Sequence, residues 1–147
     1  LSGYLLDTNI ISKFAPGRPP VEDYFAVWMQ ARGFAGELYL SAMTIAEIER
    51  GVRKLNRAGG IERAKRIADW LDRLVEDFGD RVLAMDTIVA RVAGVMQDDA
   101  TSRGHQPGLA DIIIAATARA YDLTLVTENV KDFEGMGVRL EPSSSGP

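Results

Sequence analysis

Tyr4-Leu5-Leu6-Asp7-Thr8-Asn9 is the stretch on which the fold turns. Three apolar residues stop at an acid followed by two residues suited to caps and turns. That is the pattern of a short buried strand handing over to a loop or helix at its carboxyl end. The unit recurs outward along the chain. Tyr24, Phe25, Trp28 and Met29 fall at helical spacing within residues 21–32, and Leu38-Tyr39-Leu40 reads as a second strand. A helix is expected from Thr44 to about Arg57, closed by Gly59-Gly60. The next runs from about Ile61 to Asp77, with Ala64, Ile67, Leu71 and Leu74 on one face. Arg81-Val82-Leu83-Ala84 gives a third strand, and Asp86 is placed to cap a helix through Val89, Ala93 and Met96. Leu109 to Tyr121 forms an apolar helix, Thr124-Leu125-Val126-Thr127 a fourth strand and Gly137-Val138-Arg139-Leu140 a possible fifth. Alternation of this kind predicts an α/β fold, a three-layer α/β/α sandwich around a mostly parallel sheet of four to five strands.

Composition sets the outer bounds. A chain of 147 residues, 46% hydrophobic and 26% charged, is expected to form one domain over residues 1–142, with a disordered tail at 143–147. Leu1 to Gly3 receive no structural weight, because a start at Leu rather than Met suggests a remnant of processing or cloning. No apolar run approaches the ~18 residues that span a bilayer, and no export signal is visible. The absence of Cys excludes a disulfide framework and thiolate metal sites, and fits a reducing, cytoplasmic setting. A net charge of -4 argues against a protein that grips nucleic acid through overall positive charge, so a polyanion must be held locally.

In a parallel sheet covered on both faces, ligands bind beyond the carboxyl ends of the strands. Those positions carry Asp7 after the first strand, Glu47 in the opening turn of the helix after the second, and Asp111 in the opening turn of the helix before the fourth. Asn129 and Asp132 follow the fourth. Each has a local explanation. Asp7 suits a cap, Thr44-Ile45-Ala46-Glu47 fits a capping box, Asp111 sits where a helix dipole favours an anion, and Asn129 and Asp132 suit Asx turns. None of these local roles requires all the acids to share one end of the sheet. Carboxylates gathered within ~4 Å repel by about 1 kcal/mol in water and by several-fold more at lower dielectric, so they protonate or bind a cation. With oxygen ligands, no Cys and a single His, that cation is a hard one, Mg²⁺ or Mn²⁺, and zinc is disfavoured. The matching chemistry is metal-assisted phosphodiester hydrolysis.

Four segments, Leu5-Leu6-Asp7-Thr8-Asn9-Ile10-Ile11-Ser12, Leu40-Ser41-Ala42-Met43-Thr44-Ile45-Ala46-Glu47-Ile48, Ala110-Asp111-Ile112-Ile113-Ile114-Ala115-Ala116-Thr117-Ala118 and Leu125-Val126-Thr127-Glu128-Asn129-Val130-Lys131-Asp132-Phe133, carry a family resemblance in order and spacing. From Tyr4 to Pro142 the chain resembles the PIN-domain ribonucleases of the VapC toxin family, and is similar to its FitB-like members. The resemblance implies a Mg²⁺- or Mn²⁺-dependent endoribonuclease, the toxin half of a type II toxin–antitoxin pair. It also implies a homodimer that meets operator DNA only through its antitoxin. By the same resemblance Asp7, Glu47 and Asp111 match the metal-binding acids, the fourth position falls at Asn129 with Asp132 beside it, and Thr8 and Thr127 match supporting hydroxyl residues. Family members often carry Asp where this chain has Asn129, and Glu128 stands where a basic residue is common.

RNA contacts are expected from the basic island between Arg50 and Arg66, in particular Arg50, Arg53, Lys54 and Arg57, and from Arg103 with His105 before Asp111. A solvated helix face is the default for any one of the island residues, and a surface loop is the default for His105. Tyr24, Phe25, Trp28 and Met29, with Trp70 nearby, are candidates for an antitoxin-peptide groove, although core packing is the stronger expectation. Two other functions compete. An aspartyl-nucleophile phosphatase would also place Asp after a first buried strand, but with a second acid where this chain has Asn9. A non-catalytic binding module on the same fold is kept open by Asn129.

Overall fold

Successive side chains along a strand point to opposite faces, and at Leu5 and Leu6 that alternation divides the core into two halves. The computed structural model describes residues 2–142; Leu1 and the tail 143–147, expected to be disordered, lie outside the described residues. Five strands, β1 (Tyr4–Leu6), β2 (Leu38–Ser41), β3 (Val82–Leu83), β4 (Thr124–Thr127) and β5 (Leu140–Pro142), form one sheet in the order β3-β2-β1-β4-β5. Every pairing is parallel. Among the described residues seven α-helices surround it: α1 (Thr8–Ile11), α2 (Asp23–Phe34), α3 (Ala42–Arg57), α4 (Ile61–Phe78), α5 (Thr87–Ser102), α6 (Leu109–Ala120) and α7 (Val130–Phe133).

Leu5 and Leu125 face a core built with Val89, Ala93 and Met96 of α5 and Ile112, Ile114 and Ala115 of α6. Leu6, Leu40 and Val126 face the other, built with Ile10, Phe25, Met29, Ile48, Leu71 and Leu74 from α1 to α4. Burial on both faces explains why the strands read as continuous apolar runs. From β1 the chain steps outward through β2 to β3, then crosses back to β4 beside β1 and outward again to β5. The carboxyl ends of β1 and β4 therefore flank the point where the strand order reverses, which is where such sheets bind ligands.

Three local readings change. Helix α3 begins at Ala42 rather than Thr44, because the Ser41 hydroxyl accepts the Met43 N–H at 3.0 Å and supplies the cap. Strand β5 sits at Leu140–Pro142 rather than at 137–140: Gly135 and Gly137 hold φ of 81° and 72°, left-handed turn conformations, so the extended run starts later and pairs Leu125 with Leu140. Gly3 does carry structural weight, since a Cβ there would lie 2.7 Å from the Glu37 carbonyl oxygen where β1 starts beside β2. Asp86 caps α5 as expected, accepting the Val89 N–H at 2.9 Å, and also accepts the Tyr121 hydroxyl at 2.8 Å. Phe25 and Met29 are buried in the second core, and Tyr24 and Trp28 pack against it. Trp28 lies edge-on to Tyr4 at 4.9 Å between ring centres. Packing holds all four residues, and Tyr24 and Phe25 also line a cavity of about 340 Å³ together with Lys13, Arg18 and Glu128.

Candidate active site

Asp7 leaves β1 in register, its N–H donating to the Val126 carbonyl at 2.9 Å. The carboxylate is then fixed at both oxygens: Oδ1 accepts the Thr8 N–H at 2.8 Å and Oδ2 accepts the Thr127 hydroxyl at 2.7 Å. With only 4% of the residue exposed, burial pushes the carboxyl pKa above its ordinary value. The two hydrogen bonds oppose that shift, and the charges of Glu47 and Asp132 reinforce it.

Asp111 occupies the first turn of α6 and is partly buried. Its pKa is also raised, first by burial and then by the charges of Asp7, Asp132 and Glu47. Acids from the end of β1 and from α3, α6 and α7, far apart in sequence, thus act on one another at one end of the sheet. Glu47 lies in the second turn of α3, beyond the reach of a capping box, and its Oε1 accepts the Thr8 hydroxyl at 2.6 Å. The Thr8 oxygen is also 2.9 Å from that of Thr44. A hydroxyl has one proton to give, so with Thr8 donating to Glu47 the buried Thr44 donates to Thr8. This relay takes the place of the capping box.

Asp132 is exposed on α7, and Asn129, also exposed, precedes that helix without a side-chain cap bond. Asn129 joins the site through its backbone, whose N–H donates to the Thr127 hydroxyl at 2.9 Å. Neither Asx turn expected from the sequence accounts for these residues. Among the described residues no three acidic or histidine side chains already form a ligating trio. The donor set is nonetheless all oxygen, with two of its carboxyls pushed toward the neutral form by burial and by their neighbours. That chemistry fits a hard divalent cation.

The basic residues divide between exposed positions on α3 and the cavities beside the acids. Arg50, Arg53, Lys54 and Arg57 are exposed along α3, and Arg53 pairs with Glu49 at 3.3 Å. The cavity that does include Thr8 and Glu47, about 230 Å³, is lined by Arg18, Arg63 and Trp70. Lys13, in the single turn after α1, pairs with Glu128 at 2.6 Å, so the acid standing where a base is common is matched by a base from the neighbouring loop. Arg103 pairs with Asp99 at 2.9 Å and, with His105 and Lys131, lines a cavity that includes Asp132. Lys13, Arg18 and Lys131 escaped the sequence reading because each is isolated from any run of basic residues. For Lys131 a signal existed, its place four residues after the fourth strand and next to Asp132.

A parallel sandwich with acids gathered where its strand order reverses defines the class. The family model described as PIN domain matches residues 4–137, and the chain belongs to that family. It is similar to Toxin FitB of Neisseria gonorrhoeae, 32% identical over 130 residues covering 88% of this chain and 89% of that one. Ribonuclease VapC2 of Haemophilus influenzae is 30% identical over 136 residues, covering 89% of each. Among solved structures, the crystal structure of FitAcB from Neisseria gonorrhoeae superposes with a TM-score of 0.80 at 30% identity, over 95% of this chain and 97% of that one. DNA-bound VapBC from Salmonella typhimurium reaches the same TM-score at 22% identity, over 97% and 99%, which speaks for the fold.

Proposed function

We propose that the protein is an endoribonuclease dependent on Mg²⁺ or Mn²⁺, the toxin half of a VapBC-like toxin–antitoxin pair, acting through Asp7, Glu47 and Asp111. The observation that carries the reading is the buried Asp7 carboxylate, held at 2.8 and 2.7 Å and pressed by the charges of Glu47 and Asp132. Relatives named as a VapC ribonuclease and as Toxin FitB support it. One domain over residues 1–142 carries the activity, as a homodimer in the cytoplasm, with an antitoxin protein as partner and operator DNA met only through that partner. No helix among the described residues is long and apolar enough to cross a membrane.

Asp7, Asp111 and Glu47 would hold the cation, with Asn129 or Asp132 completing the set. When bound, it offsets the charge of the scissile phosphate and lowers the pKa of the attacking water. Asp7 is the fixed member, because each oxygen spends one lone pair on a short hydrogen bond and keeps another. Glu47 has one oxygen engaged by Thr8, which leaves Oε2 to orient water or take its proton. Thr8 and Thr127 are positioning residues that hold these two carboxylates. The products are a free hydroxyl and a phosphomonoester. The test is incubation of purified protein with structured and single-stranded RNAs in Mg²⁺, Mn²⁺ or chelator. Cleavage confined to the metal arms is expected, and equal cleavage in chelator contradicts the reading.

A further inference from the structure

A cavity of about 290 Å³ includes Asp132 of the acid cluster and lies between the loop joining α5 to α6 and the segment that carries α7. Both walls are tied to the site: Pro107 stands four residues before Asp111, and Lys131 is next to Asp132. Lys131 is exposed, and no ion pair engages it among the described residues. Arg103 lines the cavity, paired with Asp99 at 2.9 Å and donating to the Gly135 carbonyl at 3.4 Å. Gln106 contributes an amide able to donate and accept, Met136 an apolar surface, and Glu134 a carboxylate. Two cations beside two acids make a poor bowl for a bare anion. They suit a ligand that carries a phosphate, hydroxyls and an apolar ring together.

We propose that this cavity is a ribonucleotide subsite for the nucleotide beside the scissile phosphate of single-stranded RNA. Lys131 and Arg103 take its phosphate, Glu134 accepts from the ribose 2′-hydroxyl, and Gln106 with Met136 meets the base. Single strands offer unstacked bases to such pockets, and the 2′-hydroxyl is the group that separates RNA from DNA. The proposal rests on the ribonuclease reading above and adds how substrate is chosen.

The test measures binding of labelled single-stranded RNA and matched DNA in chelator across a salt series, together with cut-site mapping of a randomised RNA in Mg²⁺. The proteins are the parent, Lys131→Ala, Lys131→Arg, Gln106→Ala and Glu134→Gln. Arg91→Ala, exposed on α5 outside the cavity, is the charge control. Lys131→Ala is expected to weaken RNA binding roughly 5- to 10-fold and to reduce the salt slope by about 0.7, the value for one single-strand phosphate contact. Arg91→Ala changes both less, and Lys131→Arg restores them. Gln106→Ala alters the preferred base at one position beside the cut without changing the salt slope, and Glu134→Gln narrows the preference for RNA over DNA. Lys131→Gln replaces the alanine variant if circular dichroism shows a disturbed fold. Parental affinity, slope and cut-site preference in every variant, with a parent that cleaves, overturn the subsite alone. A parent that binds but never cleaves overturns the ribonuclease reading, and the binding arm still decides the subsite. A parent that does neither overturns both.

Discussion

Thr127, at the end of β4, donates its hydroxyl hydrogen to Asp7 Oδ2 at 2.7 Å, joining two residues 120 positions apart across the point where the strand order reverses. The Thr127 hydroxyl oxygen in turn accepts the Asn129 N–H at 2.9 Å. One buried hydroxyl therefore sets both the orientation of the central carboxylate and the path of the loop leading to Asp132. Thr127→Val keeps the shape and removes both bonds. It is expected to cost roughly 1–3 kcal/mol in urea unfolding, the range for leaving a buried polar group unpaired. RNA cleavage should fall roughly 10- to 100-fold through misplacement of Asp7. Parental stability and activity would show that the bond does not hold the site.

The relay Thr44–Thr8–Glu47 separates a positioning role from a capping role. Ser41→Ala should cost about 1 kcal/mol in thermal or chemical unfolding, because Ser41 is the cap of α3. Glu47→Gln should leave that stability nearly unchanged while reducing cleavage at least about 100-fold, the scale of a lost general base. Loss of stability with Glu47→Gln and none with Ser41→Ala would restore the capping box.

Asp111 gives a prediction about stability without metal. Its pKa is raised in the folded protein, so its favourable contribution is complete below the unfolded value, near 3.8, and is lost as pH rises through the raised value. At neutral pH the ionised carboxylate therefore works against the fold. Asp111→Asn should melt a few degrees above the parent in chelator at pH 7, with the gap closing toward pH 4. Added Mn²⁺ should raise the parent's melting temperature and leave the variant's nearly fixed. A variant that melts below the parent in chelator would contradict the clustering of acids around Asp111.

Lys13 and Glu128 form a pair exposed to 31% and 41% on their side chains, where ion pairs contribute at most about 1 kcal/mol. Its effect belongs to substrate rather than stability. Glu128→Gln removes a negative charge beside the site and frees Lys13, so RNA binding is expected to tighten a few-fold at low salt and to depend more steeply on salt. Fluorescence anisotropy across a salt series checks this, and weaker binding would show that Glu128 assists the substrate.

Much of this architecture was legible because the strands announce themselves. Leu5-Leu6-Asp7 and Leu125-Val126-Thr127 are short apolar runs broken by polar residues, and β4 lies at Thr124–Thr127 as read. Helices α4 to α6 follow from periodicity and from the Asp86 cap. The four-residue helices α1 and α7 are too short to show a period, and β5 was displaced by glycines whose positive φ the sequence does not display. The acids themselves were visible from their places after the strands. What holds them was not, because the Thr8 to Glu47 and Thr127 to Asp7 bonds span 39 and 120 residues. The run of basic residues pointed to exposed positions on α3 and, through Arg63, to the cavity that includes Glu47, whereas Lys13, Arg18 and Lys131 reach the neighbourhood of the acids as isolated residues brought there by the chain's topology.

The proposed ribonuclease activity requires that Asp7 and Asp111 hold a cation at which RNA is cleaved. The direct measurement is the cleavage rate of one susceptible RNA by the parent, Asp7→Asn and Asp111→Asn, each folded by circular dichroism, in Mg²⁺ and in chelator. The prediction is cleavage by the parent in Mg²⁺ alone, with both variants reduced by at least about 100-fold, the scale of lost electrostatic stabilisation at a reacting phosphate. Cleavage that survives in either variant, or in chelator, would contradict it.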